Sequence, residues 1–211
     1  MLFLLIMIIK TIVFDFGRVV GFFDHRLTTN RLVPGGGPAA EEMHAYLFGG
    51  PLEDDYESGR ISTSEFLRRV RETCRLSCSK DFIATAWADI FWPNLEVCAL
   101  LPRLKPRYRL LLGSNTNELH ARHFCRQFAD WLRHFDALVF SHEIGVRKPK
   151  AGFFEHCAPL AECASAECLF IDDLADNVAG ARACGWQGLV YTGFADLCND
   201  LTKMGVEING E

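Results

Sequence analysis

The sequence predicts an α/β fold: a doubly wound parallel sheet with a small all-helical cap inserted after the first strand. Short apolar runs bounded by turn residues recur along the chain, as is typical of buried parallel strands. From about Asn94 these runs alternate with segments of helical length, an order that implies right-handed crossovers between parallel strands. Between residues 22 and 92 the alternation stops, and no segment there has a convincing strand pattern.

The elements follow from these runs in chain order. The first strand ends with Thr11-Ile12-Val13-Phe14. In the insertion, the capping-box pattern Ser62-Thr63-Ser64-Glu65 predicts a helix over 64–74, with Leu67, Val70 and Cys74 on its apolar face. The later strands are predicted at 108–113, 137–140, 168–171 and 188–191, and the helices at 95–104, 118–128, 151–160, 177–184 and after the last strand. We therefore predict a core domain of residues 1–20 and 94–211 and a helical cap domain of residues 21–93.

The composition narrows the class of protein. A chain of 211 residues with 49% hydrophobic residues is large enough for one α/β domain and a modest insertion. The net charge of −5 gives no electrostatic reason to expect a nucleic acid or an anionic membrane as partner. Nine scattered cysteines without a CxxC pair indicate free thiols in a reducing compartment.

The chain opens with an apolar run, Met1 to Ile9, which is too short for a membrane span of roughly 20 residues. No basic residue precedes it and no small-residue cleavage site follows it, so it does not resemble a signal peptide. We expect a soluble, cytoplasmic protein, a monomer or weak homodimer. Either Met1 or Met7 is a plausible start.

Polar side chains follow four of the predicted strands. Asp15, Ser114 and the pair Asp172-Asp173 come at strand ends, and Lys148 comes shortly after another strand. Because loops at the carboxyl ends of parallel strands share one crevice, we expect these groups to meet in a single pocket. A strand-end Asp, a Ser before a helix or a lone Lys is by itself more often a turn, a cap or a surface residue. The combination, in this order, suits a magnesium ion and a phosphate.

These groups match the needs of phosphate-ester hydrolysis. Asp15 is the candidate nucleophile, which would form an aspartyl-phosphate that water then cleaves. A divalent cation is needed between the aspartate and the anionic substrate, and magnesium prefers hard oxygen ligands. Asp15, the backbone carbonyl of Gly17 and Asp173 are the candidate ligands. Asp172 is a further ligand or an acceptor beside them.

The phosphate itself requires donors and positive charge. Ser114 and the backbone N–H groups after it, from Asn115 onward, precede a predicted helix, whose N-terminus favours anions. Lys148 can neutralise both the phosphate and Asp15. Arg18 either faces the incoming anion or lies on the surface.

These polar groups lie in four sequence motifs. The motifs are Phe14-Asp15-Phe16-Gly17-Arg18-Val19-Val20, Gly113-Ser114-Asn115-Thr116-Asn117, Gly145-Val146-Arg147-Lys148-Pro149 and Phe170-Ile171-Asp172-Asp173-Leu174-Ala175-Asp176-Asn177. Together they resemble the motifs of the haloacid dehalogenase-like hydrolases, and among them the bacterial sugar-phosphatase branch that includes α-glucose-1-phosphate phosphatase. The resemblance implies a Rossmann-like core, a helical cap and a magnesium cofactor. It also implies Asp15 as nucleophile, Ser114 and Lys148 as phosphate-holding catalytic residues, and Asp173 as the main acidic magnesium ligand.

One position departs from that family. Its phosphatases usually have a second Asp two residues after the nucleophile as general acid and base, and here that position is Gly17. General acid–base catalysis contributes typically about 10²–10⁴-fold. We therefore expect slower turnover or a restriction to good leaving groups. Asp24 and His25 are candidate substitutes, although Asp24 is better explained as a helix cap.

The sequence thus predicts a magnesium-dependent phosphatase for a small phosphorylated metabolite, with a sugar phosphate as one candidate. A 2-haloacid dehalogenase is the first alternative, but the pair Asp172-Asp173 would repel a carboxylate substrate. A non-catalytic relative that only binds a phosphorylated ligand is the second alternative, because of Gly17. A receiver-type signalling domain uses similar residues, but there the acidic pair comes first in the chain.

Overall fold

The computed structural model describes residues 8–208. Its main sheet has five strands in the order β5-β4-β1-β6-β7, and every neighbouring pair is parallel. This is the doubly wound sheet that the sequence predicts. The strands of the described residues are β1 (Thr11–Phe14), β2 (Gly21–Phe23), β3 (Phe91–Pro93), β4 (Arg109–Ser114), β5 (Ala137–Phe140), β6 (Cys168–Asp172) and β7 (Gln187–Val190).

Strand β1 lies at the centre of the sheet, and all four of its residues are buried. Its side chains alternate between the two faces, as they do in any strand. Ile12 and Phe14 pack into an apolar cluster on one face, whereas Val13 packs with Leu111 and Phe170 on the other. Burial on both faces explains why the strand is a continuous apolar run without polar alternation.

Helices cover both faces of the sheet and fill the insertion. The helices are α1 (Arg26–Leu32), α2 (Ala40–Leu47), α3 (Pro51–Glu57), α4 (Thr63–Thr73), α5 (Lys80–Ala88), α6 (Leu95–Leu104), α7 (Glu118–Gln127), α8 (Ala129–Leu132), α9 (Ser141–Ile144), α10 (Ala151–Ala161), α11 (Ala175–Ala183) and α12 (Phe194–Lys203), with 3₁₀ turns at Val33–Gly35 and Ser165–Glu167. The predicted core helices agree with these bounds to within two residues. The short helices α8 and α9 were not predicted, because four residues are too few to show a helical period.

The insertion comprises α1 to α5 and has an apolar cluster of its own. Trp87 is fully buried there, stacked on Phe48 at 4.9 Å and edge-on to Phe66 at 4.6 Å. Helix α4 begins as predicted, since the Ser62 hydroxyl accepts a hydrogen bond from the Glu65 backbone N–H at 3.3 Å. The insertion therefore buries its apolar side chains within itself, in a cluster separate from those of the sheet.

The expectation that residues 22–92 contain no strand is wrong at both ends. Strands β2 and β3 form a two-stranded antiparallel ribbon, with Phe22 opposite Trp92. Three residues are too few for a period of two to be recognised, and Pro93 disfavours a strand assignment. The ribbon joins the insertion to the sheet. Asn94 then fixes the return, because its side-chain amide donates to the Val19 carbonyl at 2.8 Å and to the Tyr191 hydroxyl at 2.9 Å.

All nine cysteines are free thiols, as predicted. Within residues 8–208, no helix combines the length and the apolar character that a membrane span requires. The opening run from Met1 lies outside the described residues, apart from Ile8 and Ile9, and so do both candidate start positions.

Candidate active site

The predicted polar groups meet at one edge of the sheet. β1 is paired in register with β4 and β6, so that Phe14 lies opposite Leu112 on one side and Ile171 on the other. The chain therefore delivers Asp15, Ser114 and Asp173 to the same edge. A cavity of about 430 Å³ opens there, and Lys148 reaches it from the loop after α9.

Lys148 is the central group of this edge. Its ammonium donates to Asp15 Oδ1 at 2.7 Å, to Asp172 Oδ2 at 2.7 Å and to the Gly113 carbonyl at 2.8 Å. An ammonium has three N–H donors, so each has an acceptor. Burial alone would lower the pKa of Lys148, but the two carboxylates outweigh it and raise the pKa above the ordinary value. Lys148 therefore remains charged and orients Asp15.

Asp15 is 7% exposed and faces the cavity. Burial raises its pKa to about 7; Lys148 opposes this shift, and the charge of Asp172 adds to it. Carboxylate oxygens of Asp15, Asp172 and Asp173 lie within 4.8 Å of one another. Lys148 compensates part of the charge of these three carboxylates, and their hard oxygen donors fit a divalent ion such as Mg²⁺.

The two residues of the acidic pair have different surroundings. Asp172 is fully buried, and its oxygens accept from Lys148, from the Asn177 amide at 3.0 and 3.1 Å, and from the Leu174 N–H at 2.9 Å. Asp173 is half-buried and lines the cavity, with the Arg18 guanidinium 4.0 Å away. Asp173 thus presents its carboxylate to the cavity, whereas Asp172 holds the lysine and the loop behind it.

The segment after β4 holds the loop of Lys148. The Asn115 side chain accepts from the Lys148 N–H at 2.9 Å and donates to the Lys148 carbonyl at 3.0 Å. The Asn115 amide therefore stabilises the loop of Lys148 and also lines the cavity. Ser114 is buried, and its hydroxyl lies 3.3 Å from the Asn115 carbonyl. Both residues line the cavity together with Asp15.

Gly17 and Arg18 form the rim beside Asp15. A Cβ on Gly17 would lie 3.0 Å from Phe23 Cε1, so the Phe23 ring fills the space beside this position. Arg18 has a positive φ of 60° and a side chain that is 65% exposed, with its guanidinium 5.6 Å from the centre of the Phe23 ring. Of the two candidate substitutes for an acid at Gly17, His25 lines the cavity. Asp24 instead accepts from the Arg26 N–H at 2.9 Å and braces the start of α1.

The sequence did not single out three further polar groups that line the cavity. Glu53 and Glu57 come from α3, and Arg147 comes from the core loop that precedes Lys148. The Arg147 guanidinium bonds Asp54 Oδ1 at 2.7 Å and Glu57 Oε2 at 2.9 Å. Burial raises the pKa of Glu57 to about 8 and raises that of Glu53 too. The acidic sequence of α3 is typical of a solvated helix face, so it contained no signal of this role.

Helix α3 is fastened to the core close to Glu57. The Ser141 hydroxyl donates to the Glu57 carbonyl at 2.6 Å, and Ser141 also accepts from the Thr116 N–H at 2.9 Å. Gly59, two residues after the helix, has a φ of +65°, and a Cβ there would overlap the His142 carbonyl. Only a glycine allows the backbone of the insertion to approach the core so closely.

His120 lines the cavity, and both of its ring nitrogens are hydrogen-bonded within the protein. Its Nε2 lies 3.0 Å from the Trp87 carbonyl, and its Nδ1 lies 3.0 Å from the Asn117 amide nitrogen. These partners define a neutral ring that donates from Nε2 and accepts at Nδ1. Burial lowers the pKa of His120 to about 3.

A parallel sheet that gathers a buried aspartate, a lysine and an acidic pair at one edge defines a hydrolase-type α/β site. The chain belongs to the haloacid dehalogenase-like hydrolases, whose family model matches residues 52–185. This confirms the resemblance and the fold class that the sequence predicted, and the protein is a hydrolase.

Individual relatives resemble almost the whole chain. A predicted HAD-like family hydrolase from Porphyromonas gingivalis has a TM-score of 0.80 at 25% identity, covering 95% of this chain and 99% of that one. A HAD family enzyme from Bacteroides thetaiotaomicron, solved with magnesium and inorganic phosphate, has a TM-score of 0.74 at 26% identity, covering 86% and 93%. The D-ribitol-5-phosphate phosphatase of Bacteroides thetaiotaomicron is 24% identical over 200 residues, covering 92% and 97%.

Proposed function

We propose that the protein is a magnesium-dependent phosphatase that hydrolyses a small phosphorylated metabolite, such as a sugar or polyol phosphate, through an aspartyl-phosphate on Asp15. The observation that carries this proposal is that Asp15 accepts from the Lys148 ammonium and has a carboxylate oxygen within 4.8 Å of those of Asp172 and Asp173. Relatives of similar length support it. One is a D-ribitol-5-phosphate phosphatase, and another was crystallised with magnesium and phosphate.

In the first step an Asp15 oxygen attacks phosphorus, and the bond between phosphorus and the ester oxygen breaks. Lys148 favours the ionised form of Asp15 and orients its carboxylate for this attack, because Asp15 Oδ1 accepts its hydrogen bond. Asp15, the Gly17 carbonyl and Asp173 would hold the magnesium ion, with Asp172 as a further ligand or as support behind Asp173. When bound, this ion supplies the positive charge that screens the aspartate from the phosphate oxygens.

In the second step water attacks the phosphorus of the aspartyl-phosphate. The bond between phosphorus and the Asp15 oxygen breaks, and inorganic phosphate leaves with the carboxylate restored. The Ser114 hydroxyl and the backbone N–H groups that precede α7 are suited to holding the phosphate oxygens during both steps. Arg18 at the rim adds charge on the side of Asp173.

The departing alcohol must gain a proton, and Gly17 offers no side chain for this. The Phe23 ring already fills the neighbouring space. The site therefore favours leaving groups that depart with little protonation, such as an anomeric oxygen, or it relies on a group elsewhere in the cavity. His25 lies in the cavity wall, but burial lowers the pKa of its ring to about 4, which makes it a poor acid at neutral pH.

We further propose that residues 21–93 act as a cap domain on a core of residues 1–20 and 94–211. The separate apolar cluster of the insertion and its contribution of Glu53 and Glu57 to the cavity support this division. A small molecule is the only partner that the site requires. Cytoplasmic location and a monomeric or weakly dimeric state remain predictions from the sequence.

Dehalogenation of a 2-haloacid is a weaker alternative. The L-2-haloacid dehalogenase of Xanthobacter autotrophicus has a TM-score of 0.65 at 19% identity, which is a likeness of fold alone. Asp173 beside the nucleophile makes the cavity unfavourable for a substrate carboxylate. A binding protein without turnover is the other alternative, and it rests on Gly17.

Phosphate release from p-nitrophenyl phosphate tests the proposal. The purified protein should release phosphate with magnesium and not with EDTA, and Asp15→Asn should lower kcat by at least about 10³-fold. Asp130→Asn, at a side chain that is 90% exposed, is the matched control and should retain activity. Full activity of Asp15→Asn would show that Asp15 is not the nucleophile. Chloride release from a 2-haloacid without metal would favour the dehalogenase, and saturable phosphate binding without turnover would favour the binding protein.

A further inference from the structure

The reaction proposed at Asp15 needs a proton donor for the departing alcohol, and Gly17 has no side chain to supply one. A general acid works best when its pKa lies near the working pH. Burial lowers the pKa of His25 to about 4 and that of His120 to about 3, so both rings in the cavity wall are neutral at pH 7. The pKa of Lys148 is raised above its ordinary value, and its three N–H groups already have acceptors. None of these three side chains is suited to protonate the alcohol.

Two glutamates of α3, Glu53 and Glu57, line the same cavity and have no part in the two steps at Asp15. Glu53 accepts a hydrogen bond from a backbone N–H of the insertion at 2.7 Å. Glu57 Oε2 instead pairs at 2.9 Å with Arg147, whose neighbour in the chain is Lys148. The charges of Lys148 and Asp15 both act on Glu57. Because the interaction between charges weakens with distance, Glu57 lies within electrostatic reach of the nucleophile.

The contacts of Glu57 fix its position and leave it able to donate. Its side chain is 11% exposed, and its Oε2 lies 2.9 Å from Arg147 Nη2. Its backbone carbonyl accepts from the Ser141 hydroxyl at 2.6 Å. Because Oε2 accepts from the guanidinium, a proton on the carboxyl is carried by Oε1. Glu57 can therefore stay bonded to Arg147 and donate a hydrogen bond to a ligand at the same time.

The surroundings of Glu57 favour its protonated form. Burial raises its pKa to about 8, and the negative charges of Glu53 and Asp15 add to this shift. The positive charges of Arg147 and Lys148 oppose the shift without cancelling it. At pH 7 most molecules therefore carry the proton on this carboxyl. A carboxyl group that is protonated near neutral pH, in the same cavity as a nucleophile, meets the requirements of general acid catalysis.

We propose that Glu57 is the general acid of this site, a catalytic residue that the insertion supplies in place of the side chain missing at Gly17. As the bond between phosphorus and the ester oxygen breaks, its electron pair stays on that oxygen, which takes the proton from Glu57 Oε1. The alcohol leaves neutral. When water then attacks the aspartyl-phosphate, the Glu57 carboxylate takes a proton from the water and the acid is restored. This inference rests on the proposed phosphatase function and goes beyond it by assigning the proton donor.

Two aryl phosphates of similar size test this assignment. p-Nitrophenolate departs with little protonation, whereas the more basic phenolate of phenyl phosphate depends more on an acid. Glu57→Gln keeps an acceptor for Arg147 but has no acidic proton. It should lower kcat/KM, which covers the step in which the alcohol departs, at least about tenfold for phenyl phosphate and less than about threefold for p-nitrophenyl phosphate. Glu41→Gln, the same substitution at an exposed position of α2, should change neither value.

The wild-type protein gives a second measurement, which decides the matter if Glu57→Gln does not fold. The ratio of kcat/KM for phenyl phosphate to that for p-nitrophenyl phosphate cancels effects of pH that both substrates share. This ratio should fall at least about threefold from pH 7 to pH 9, because Glu57 loses its proton around pH 8.

The outcomes separate this inference from the proposed function. Equal losses for both esters in Glu57→Gln, or a ratio that stays constant with pH, would show that Glu57 is not the acid, while the phosphatase function stands. If the wild-type protein hydrolyses neither ester with magnesium, the proposed function fails as well.

Discussion

The groups that the sheet and the insertion bring to the cavity are held in different ways. At the sheet end, Asp15 and Asp172 are placed by strands that finish there, and Lys148 bonds both of them. The insertion contributes Glu53 and Glu57 from α3, and Arg147 and Ser141 hold Glu57 in position. The sheet thus fixes the groups that would react with phosphorus, while a helix outside the sheet fixes the groups that would meet the rest of the substrate.

Lys148→Met should produce the largest effect at the sheet end. Removing one partner of a buried ion pair costs about 3–5 kcal/mol, because the remaining charges lose their compensation. Asp15 and Asp172 would be left buried without their shared donor, so we expect a loss of that size in urea unfolding measured in EDTA. Phosphatase activity should disappear as well.

Magnesium should restore part of the stability of Lys148→Met, since a bound cation replaces some of the missing charge. Lys150→Met, an exposed position two residues along the same loop, is the control and should unfold like the wild type. Equal stability of Lys148→Met and wild type in EDTA would contradict the central role given to this lysine.

Arg147→Met should have a smaller and different effect, on the groups that the insertion contributes. It would remove the partner of Glu57 and of Asp54, and we expect a loss of about 1–3 kcal/mol in urea unfolding. Kinetically it should raise KM for a metabolite ester more than it lowers kcat for p-nitrophenyl phosphate. A collapse of kcat for both substrates would show that the two sets of groups are not separable. Arg133→Met, at a side chain that is 69% exposed, is the matched control.

The effect predicted at His120 depends on pH, and it is small near neutral pH. Its pKa falls from the ordinary 6.5 to about 3 on folding, so below pH 6.5 the unfolded chain binds a proton that the folded chain does not. The stability from this group is therefore complete above pH 6.5 and is lost as the pH falls towards 3, by about 1 kcal/mol per pH unit. His120→Gln should flatten the decline of unfolding free energy between pH 6.5 and 5. An unchanged slope would mean that His120 does not lose its proton affinity on folding.

The sequence predicted the groups that the sheet brings to the cavity, but not those that the insertion contributes. Asp15, Ser114 and Asp173 follow strands that are apolar on both faces, a pattern strong enough to predict the sheet and the edge at which it ends. Lys148 was predicted by the same rule, although it lies in the loop after α9 and not directly at a strand end. Their convergence needed only the rule that parallel strands finish together.

Glu57 could not be predicted in this way. Its helix is rich in acidic residues, and its role depends on contacts with Arg147 and Ser141, which lie 90 and 84 positions away in the sequence. Nothing local distinguishes such a residue from a solvated one. The ribbon of β2 and β3 was missed for a related reason, since three-residue strands are recognised only through the partner they pair with.

Gly59 has a consequence for how the protein moves. The close approach of its backbone to the His142 carbonyl, with the Ser141 hydroxyl bonded nearby, joins α3 to the sheet more tightly than a flexible linker would. Glu53 and Glu57 should then keep their position relative to the sheet when the other helices of the insertion move. The distance between the Asp15 carboxylate and these two glutamates would then stay constant, and it would limit the length of the ligand that fits.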